Sequence, residues 1–340
     1  MPGKAVSYPR KSGRFSMALA LLRQFPGLLG SVYREHRDVR RLVRKTGARI
    51  LVSDNRYGCF SGKAVSVFVG HQVFLRAPGG LAWAEPMINA VNHWFIRRFR
   101  YCLVPDNTGP ENLSGALSMG GEGKPAYRVL PGLRFVGPLS RFTETESGPY
   151  ALQEENLPQD LPADKDTGVH SPLPEGMPED FVLVMLSGPE PQRTLLEAEL
   201  VREVAGLECG VVFVRGLING SGAADLPEAI AGFSHLPDGP LAWLIRHARL
   251  VICRPGYSTL MDLAVFGKKV LVVPTPGQTE QEYLGRRIGD LGWGRCVRQG
   301  ELNLADQMPE ALAGKGIPRS ADGGKTWMKL VRALLEESGQ

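Results

Sequence analysis

The stretch Cys253–Tyr283, CRPGYSTLMDLAVFGKKVLVVPTPGQTEQEY, decides the fold. It follows the apolar run LVI and passes through a Pro-Gly turn, a short helical segment, a second apolar run and a polar, Gln-rich loop. That order is strand, helix, strand, and it predicts a parallel sheet with helices on its faces. In such sheets ligands sit beyond the carboxyl ends of the strands, where loops turn into helix N-termini. Two loops here hold that place. In RPGYSTLMD, Gly256 allows close backbone approach, Ser258 and Thr259 are suited to cap a helix or bind an oxyanion, and Asp262 lies one turn beyond Ser258. A carboxylate in that position is suited to accept from the vicinal hydroxyls of a ribose. In PTPGQTEQ, Gln278 and Gln281, with Glu282 just after, offer donors and acceptors suited to sugar hydroxyls.

Working outward, the same alternation extends through FVLVMLSG, a helix near Thr194–Ala205, GVVFVRG and PLAWLIRHA. A third strand-end loop, SGPEPQRT, places Ser187 and Gly188 to present backbone N–H groups and Arg193 to pair with a phosphate. The structural alternative is a Pro-rich turn with Thr194 capping the next helix. TWMKLVRALLEES is a plausible terminal helix, so the second domain is expected over 181–340. Residues 143–180 carry ten acidic residues, one Lys and six Pro with no apolar periodicity, and are expected to be a linker or surface insertion. Before them, RILVSD, AVSVFVG, YCLVPD and LRFVG alternate with helical stretches, so 1–142 is expected as a first α/β domain. The segment around Arg34–Lys45 reads as an amphipathic helix with a basic outer side. In the first domain His71 closes an apolar strand and is a candidate general base, against a structural role as a capping or core histidine. Asp54, Arg56 and Gln72 are candidate acceptor-side residues; Asp54 and Arg56 are equally suited to cap a helix and pair with each other.

Composition narrows the classes. At 340 residues the chain suits two domains. No run of uncharged apolar residues is long enough to span a bilayer, and the basic N-terminus has no cleavage signature, so a cytoplasmic chain is expected, peripheral at most on the inner membrane face. The five cysteines are scattered and form no CxxC pair, which favours neither a disulfide framework nor a zinc site. Residues 1–100 hold 18 Lys and Arg against 4 Asp and Glu, whereas 101–340 hold 22 against 31. The first domain is therefore the basic one, suited to an anionic partner such as a membrane surface. Its basic helix lacks interleaved aromatics and no nucleic-acid motif accompanies it, so no nucleic acid is expected.

The run LVICRPGYSTLMDLAVFGKKVLVVPTPGQTEQEYLG resembles the donor-binding half of family 28 glycosyltransferases, whose motif is Ser/Arg-x-Gly, a Ser or Thr, an acidic residue in the next helix, a strand ending in Pro and then one or two Gln. The resemblance implies a GT-B fold of two Rossmann-like domains. It puts Asp262 in the place of the family's ribose-binding Glu, Ser258 and Thr259 in that of its helix-capping pair, and Gln281 in that of a Gln that reads the donor sugar. Glu282 stands where a second Gln is frequent, and LSGPEPQRT holds the place of the Gly-rich diphosphate loop without its second Gly. The first domain is similar, more loosely, to bacterial relatives carrying SDNRYG, a strand ending in His-Gln, and VGPLSRF. The family opens on a strand, a Gly-rich loop and a helix, a unit with no counterpart before Ile50, so an incomplete N-terminal domain is expected.

Together these imply an inverting transfer of a sugar, N-acetylglucosamine or another hexose, from a UDP-sugar to a lipid-linked or glycan acceptor. The leaving diphosphate then needs helix N-terminal amides near Ser258, with Arg193 and Arg254, while His71 is the candidate base. No Asp-x-Asp stands where a metal would bridge the diphosphate, so no metal and no cofactor beyond the UDP-sugar substrate are expected. The alternatives are a sugar-nucleotide epimerase of the same fold and a non-catalytic nucleotide-sugar-binding protein.

Overall fold

The computed structural model describes residues 14–77, 81–120, 126–142, 180–217, 226–227, 230–320 and 325–339. The chain divides into two compact units, Met1–Leu139 with Gly324–Gln340, and Ser140–Gly323. The expected acidic linker lies outside the described residues except for Asp180.

The first unit runs α1 (Arg14–Thr46), β1 (Ile50–Asp54), β2 (Val65–Val69), α2 (Glu85–Ile96), β3 (Tyr101–Val104), the single turns α3 (Ala116–Met119) and α4 (Ala126–Val129), and β4 (Leu133–Phe135). Its four strands lie in chain order, all parallel. Alternation along the strands sends side chains to opposite faces. Phe68, Cys102, Val104 and Leu133 enter one core layer with Ile96 of α2, while Val67, Val69 and Leu103 enter another.

The second unit runs β5 (Phe181–Met185), α5 (Gln192–Val204), β6 (Gly210–Val214), β7 (Ala231–Phe233), α6 (Asp238–His247), β8 (Leu250–Cys253), α7 (Tyr257–Phe266), β9 (Val270–Val272), α8 (Thr279–Asp290), β10 (Gly294–Cys296) and α9 (Leu304–Ala313). All strand pairs are parallel, in the order β10-β9-β8-β5-β6-β7. Central strands covered on both faces must be apolar throughout, which is why FVLV, VVF, LVIC and VLVV are almost continuous Val, Leu, Ile and Phe. Chain order runs outward from β5 in one direction, then returns to its other side with β8. The order therefore reverses between β5 and β8, and a crevice opens at such a reversal beyond the strand ends. Gly267 ends α7 in the left-handed conformation at φ 63°, which lets the chain turn back into β9.

The last helix, α10 (Lys325–Gly339), departs from expectation. Sequence order assigns it to the second domain, yet it packs on the first sheet, where Leu334, Trp327 and Leu330 meet Val67, Val69, Leu103 and Val136. The reason is the second apolar face of that sheet, which α10 covers with its own apolar stripe.

Candidate functional site

The strand reversal brings together, within the second unit, the loops after β5 and β8, with the loop after β9 beside them. After β5, Leu186 still donates to Val214 O, and the chain then leaves the sheet at exposed Ser187 and Gly188. Gly188 sits at φ +106°, a conformation that side chains rarely adopt. Among the described residues neither Ser187 N–H nor Gly188 N–H has an acceptor.

After β8, Arg254 and Pro255 lead to Gly256, the N-cap of α7. That glycine has no side chain with which to cap the helix. Ser258 and Thr259 lie inside α7 rather than before it, so the expected capping pair does not occupy the N-cap, and the residue that does is a glycine. The positive end of α7 lies next to the strand reversal.

Both candidate arginines are buried and hydrogen-bonded within the protein. Arg193 is buried, and its guanidinium donates to Glu190 Oε1 (2.6 Å), Glu197 Oε2 (2.9 Å), Thr194 Oγ1 (2.8 Å) and Arg215 O (3.4 Å). Glu197 also accepts from Arg215 Nε. A buried charge is tolerated only when paired, and this one is paired under the β5 loop instead of facing a phosphate. Arg254 is fully buried and donates to Val273 O (2.9 Å), Gln192 O (2.9 Å) and Gln299 Oε1 (2.7 Å). Burial pulls its pKa down to about 10. It binds the strand-end loops to one another.

Asp262 is buried, and its Oδ1 accepts from Ser140 Oγ at 2.6 Å while Oδ2 accepts from Arg141 Nε at 3.2 Å. Arg141 also reaches Asp238 at 2.9 Å, and Phe142 packs on Phe266. Burial raises the Asp262 pKa, against the opposing effect of Ser140 and Arg141. Asp262 therefore holds residues 140–142 along α7 in this structure. Gln278 is the N-cap residue of α8, and its N–H donates to Thr275 O. Gln281 is buried and accepts at Oε1 from Thr275 N–H at 2.8 Å, which leaves Nε2 as its donor. Glu282 is exposed and its Oε1 accepts from Gly277 N–H at 2.9 Å, so it closes its own turn.

In the first unit, His71 and Gln72 are half-buried and follow Gly70 beyond the end of β2. The segment after them is tied to α2: Asn92 Nδ2 donates to Gln72 O (3.1 Å) and Val73 O (2.9 Å), and His93 Nε2 lies 2.9 Å from Val73 O. Arg56 pairs with Glu35 of α1 at 2.5 Å, not with Asp54, which is exposed. The roles of Asn92 and His93, and of Ser140 and Arg141, had no signal in the sequence, because each depends on a partner distant along the chain. Among the described residues no helix is long and apolar enough to cross a membrane, and no cluster of His, Cys, Asp and Glu is arranged to hold a metal ion.

Residues 238–315 match the Glycosyltransferase family 28 C-terminal domain, so the chain is family 28-like over the segment from α6 to just past α9. The chain is 31% identical over 107 residues to the UDP-N-acetylglucosamine--N-acetylmuramyl-(pentapeptide) pyrophosphoryl-undecaprenol N-acetylglucosamine transferase of Sinorhizobium fredii, covering 28% of this chain and 29% of that one. It is 30% identical over 128 residues to the transferase of the same name from Mannheimia succiniciproducens, covering 37% and 34%. The chain thus matches only about a third of the length of these curated relatives. Among solved structures it is similar to the glycotransferase of kitacinnamycin (TM-score 0.56, 13% identity, 94% of this chain and 85% of that one). It is also similar to the Methanocaldococcus jannaschii UDP-GlcNAc 2-epimerase in complex with UDP-GlcNAc and UDP (TM-score 0.52, 13% identity, 90% and 81%). At these identities the likeness concerns the fold, which is of the GT-B type.

Proposed function

We propose that this family 28-like chain is a glycosyltransferase that takes a sugar, N-acetylglucosamine or another hexose, from a UDP-sugar and passes it, with inversion, to a lipid-linked or other envelope acceptor. The observation that carries the proposal is the uncapped N-terminus of α7 beside the β5/β8 reversal, inside the segment that matches the family. In bond cleavage the diphosphate gains negative charge, and N–H groups fixed in place stabilise it without reorganising. The free N–H groups of Ser187 and Gly188 supply a second set of donors. With Arg193 and Arg254 paired internally, backbone amides carry this role. Asp262 is the candidate for the ribose hydroxyls, Gln281 for the sugar through Nε2, and His71 remains the candidate base. The chemistry requires no metal when amides neutralise the leaving group.

The acceptor side is proposed to work at an anionic membrane surface. Trp83, Met87, Val91 and Trp94 are all exposed and recur at helical spacing along α2 and the turn before it, so they share one face. Arg98 lies 3.8 Å over the Trp94 ring, and Arg97 and Arg100 are exposed nearby. Exposed tryptophans beside arginines suit the headgroup level of a bilayer. The α1 residues Arg34, Arg37, Arg40, Arg41, Arg44 and Lys45 are exposed as well and add attraction to anionic lipid.

The test is calorimetry of the full chain with UDP, followed by incubation with radiolabelled UDP-N-acetylglucosamine with and without membrane lipid extract. Binding of UDP and label moving into lipid only when the extract is present are the expected results. Label moving into an isomeric UDP-sugar without acceptor would instead assign an epimerase, and UDP binding without turnover a binding protein. No UDP binding would overturn the nucleotide-sugar site altogether.

A further inference from the structure

The loop after β9 contains a group that none of the interactions described above uses. Thr275 is fully buried, and both of its backbone polar atoms are paired, N–H with Gln281 Oε1 and C=O with Gln278 N–H. Its hydroxyl has no partner. Buried hydroxyls are almost always hydrogen-bonded, because leaving one unpaired costs its full desolvation, so an orphan of this kind asks for a ligand or a bound water. Its position favours the ligand. A side-chain atom placed where Gly188 has none would find Thr275 Oγ1, at 3.9 Å, as its sole neighbour within 4 Å outside the adjoining chain. The hydroxyl thus borders the space that glycine leaves open at the β5 loop, and the same turn carries the unpaired N–H groups of Ser187 and Gly188.

We infer that Thr275 is a positioning residue of the donor site, whose hydroxyl donates to a phosphate oxygen of the bound nucleoside diphosphate seated over Gly188. The inference rests on the donor site proposed above. A phosphate oxygen is the ligand chemistry chosen because every group converging there, two amides and one hydroxyl, is able to donate, and no carboxylate is among them. A small shift of the Ser187–Gly188 turn opens the hydroxyl to the ligand, since the residue in front of it is a glycine. Through its N–H the same residue fixes the amide of Gln281, so one threonine links the phosphate to the group proposed to read the sugar.

The experiment compares Thr275→Val, which keeps the volume and removes the hydroxyl, with Thr275→Ser, which keeps the hydroxyl. Calorimetry on the full chain is run with uridine, UMP and UDP, with thermal unfolding of each variant alongside. Expected is a loss of about tenfold in UDP affinity for Thr275→Val, near-wild-type affinity for Thr275→Ser, and no change for uridine in either. Wild-type UDP affinity in a folded Thr275→Val variant with a raised melting temperature would overturn the inference, marking the hydroxyl as a structural orphan. An equal loss for uridine and UDP would overturn it too, since the effect would not be on phosphate. Failure of the wild-type chain itself to bind UDP would show up separately, and would remove the donor site on which the inference rests. If Thr275→Val fails to fold, Thr275→Ser set against Thr275→Ala carries the same comparison.

Discussion

Asp262→Asn gives the sharpest separation of a nucleotide-binding role from a structural one. In the free protein the carboxylate already accepts from Ser140 at 2.6 Å and from Arg141 at 3.2 Å. A ribose diol entering this place replaces the Ser140 hydroxyl, exchanging one neutral donor for another, so the net gain lies at the low end of the range for a charged hydrogen bond, about 1.5 kcal/mol. That corresponds to roughly a tenfold change in dissociation constant. Calorimetry should therefore show UDP binding about tenfold weaker in Asp262→Asn. Wild-type protein should bind 2′,3′-dideoxy-UDP about tenfold more weakly than UDP, and the variant should discriminate far less between the two. Stability moves independently. Because burial raises the Asp262 pKa in the folded state, the folded protein holds more protons than the unfolded chain above the ordinary value of 3.8. Stability from this group thus falls as pH rises from there through the folded pKa, and Asp262→Asn should flatten that part of the profile. Full discrimination between UDP and its dideoxy analogue in a folded Asp262→Asn variant would refute the ribose contact and leave Asp262 as the anchor of residues 140–142.

Two further outcomes follow from the geometry. Glu197→Gln removes the buried charge shared by Arg193 and Arg215, and breaking a buried pair in this way costs about 3 to 5 kcal/mol, measurable as a lowered urea midpoint; a loss under about 1 kcal/mol would mean that the cluster is effectively solvated. Replacing Trp83, Met87 and Trp94 together by Ser should abolish most binding to anionic vesicles in a flotation assay, while raised salt weakens the wild type through its α1 cations, each contributing about 1 kcal/mol. Equal wild-type partition onto neutral and anionic vesicles would argue for a soluble acceptor.

How much of this was legible depends on the range of the forces involved. The parallel α/β class was, because buried central strands have to be apolar along their whole length, and β5, β6, β8 and β9 are. Two strands carry no such signal: β7 (AGF) and β10 (GRC) are three residues each, contain glycine, and exist by virtue of pairing with β6 and β9. The placement of α10 was invisible for a related reason. Its apolar stripe says that it must cover a face, and which face is decided by a sheet that lies far back along the chain. The loops that form the site could be located from strand ends alone, but the partners of individual side chains could not. SGPEPQRT places an arginine after a phosphate-type loop, yet Glu190 and Glu197, three residues before and four after Arg193, are close enough to claim it.

That outcome has a physical consequence for the chemistry proposed. Arg254 stands directly after β8, where a cation would act most strongly on a leaving diphosphate, and it is instead fully buried with its donors on Val273, Gln192 and Gln299. Those three partners belong to the ends of β9, the start of α5 and the region after β10, so one guanidinium sets the spacing of the loops around the strand reversal. A flexible side chain at that point would bring full charge, but it would have to be ordered at each turnover. Backbone N–H groups in loops braced by a buried arginine bring partial charge already in place, and preorganised dipoles stabilise a developing charge without reorganising. On the proposed function, the arginines of this unit serve anion binding through the loops they hold, and the amides at Ser187 and Gly188 with the N-terminus of α7 are the donors offered to the diphosphate.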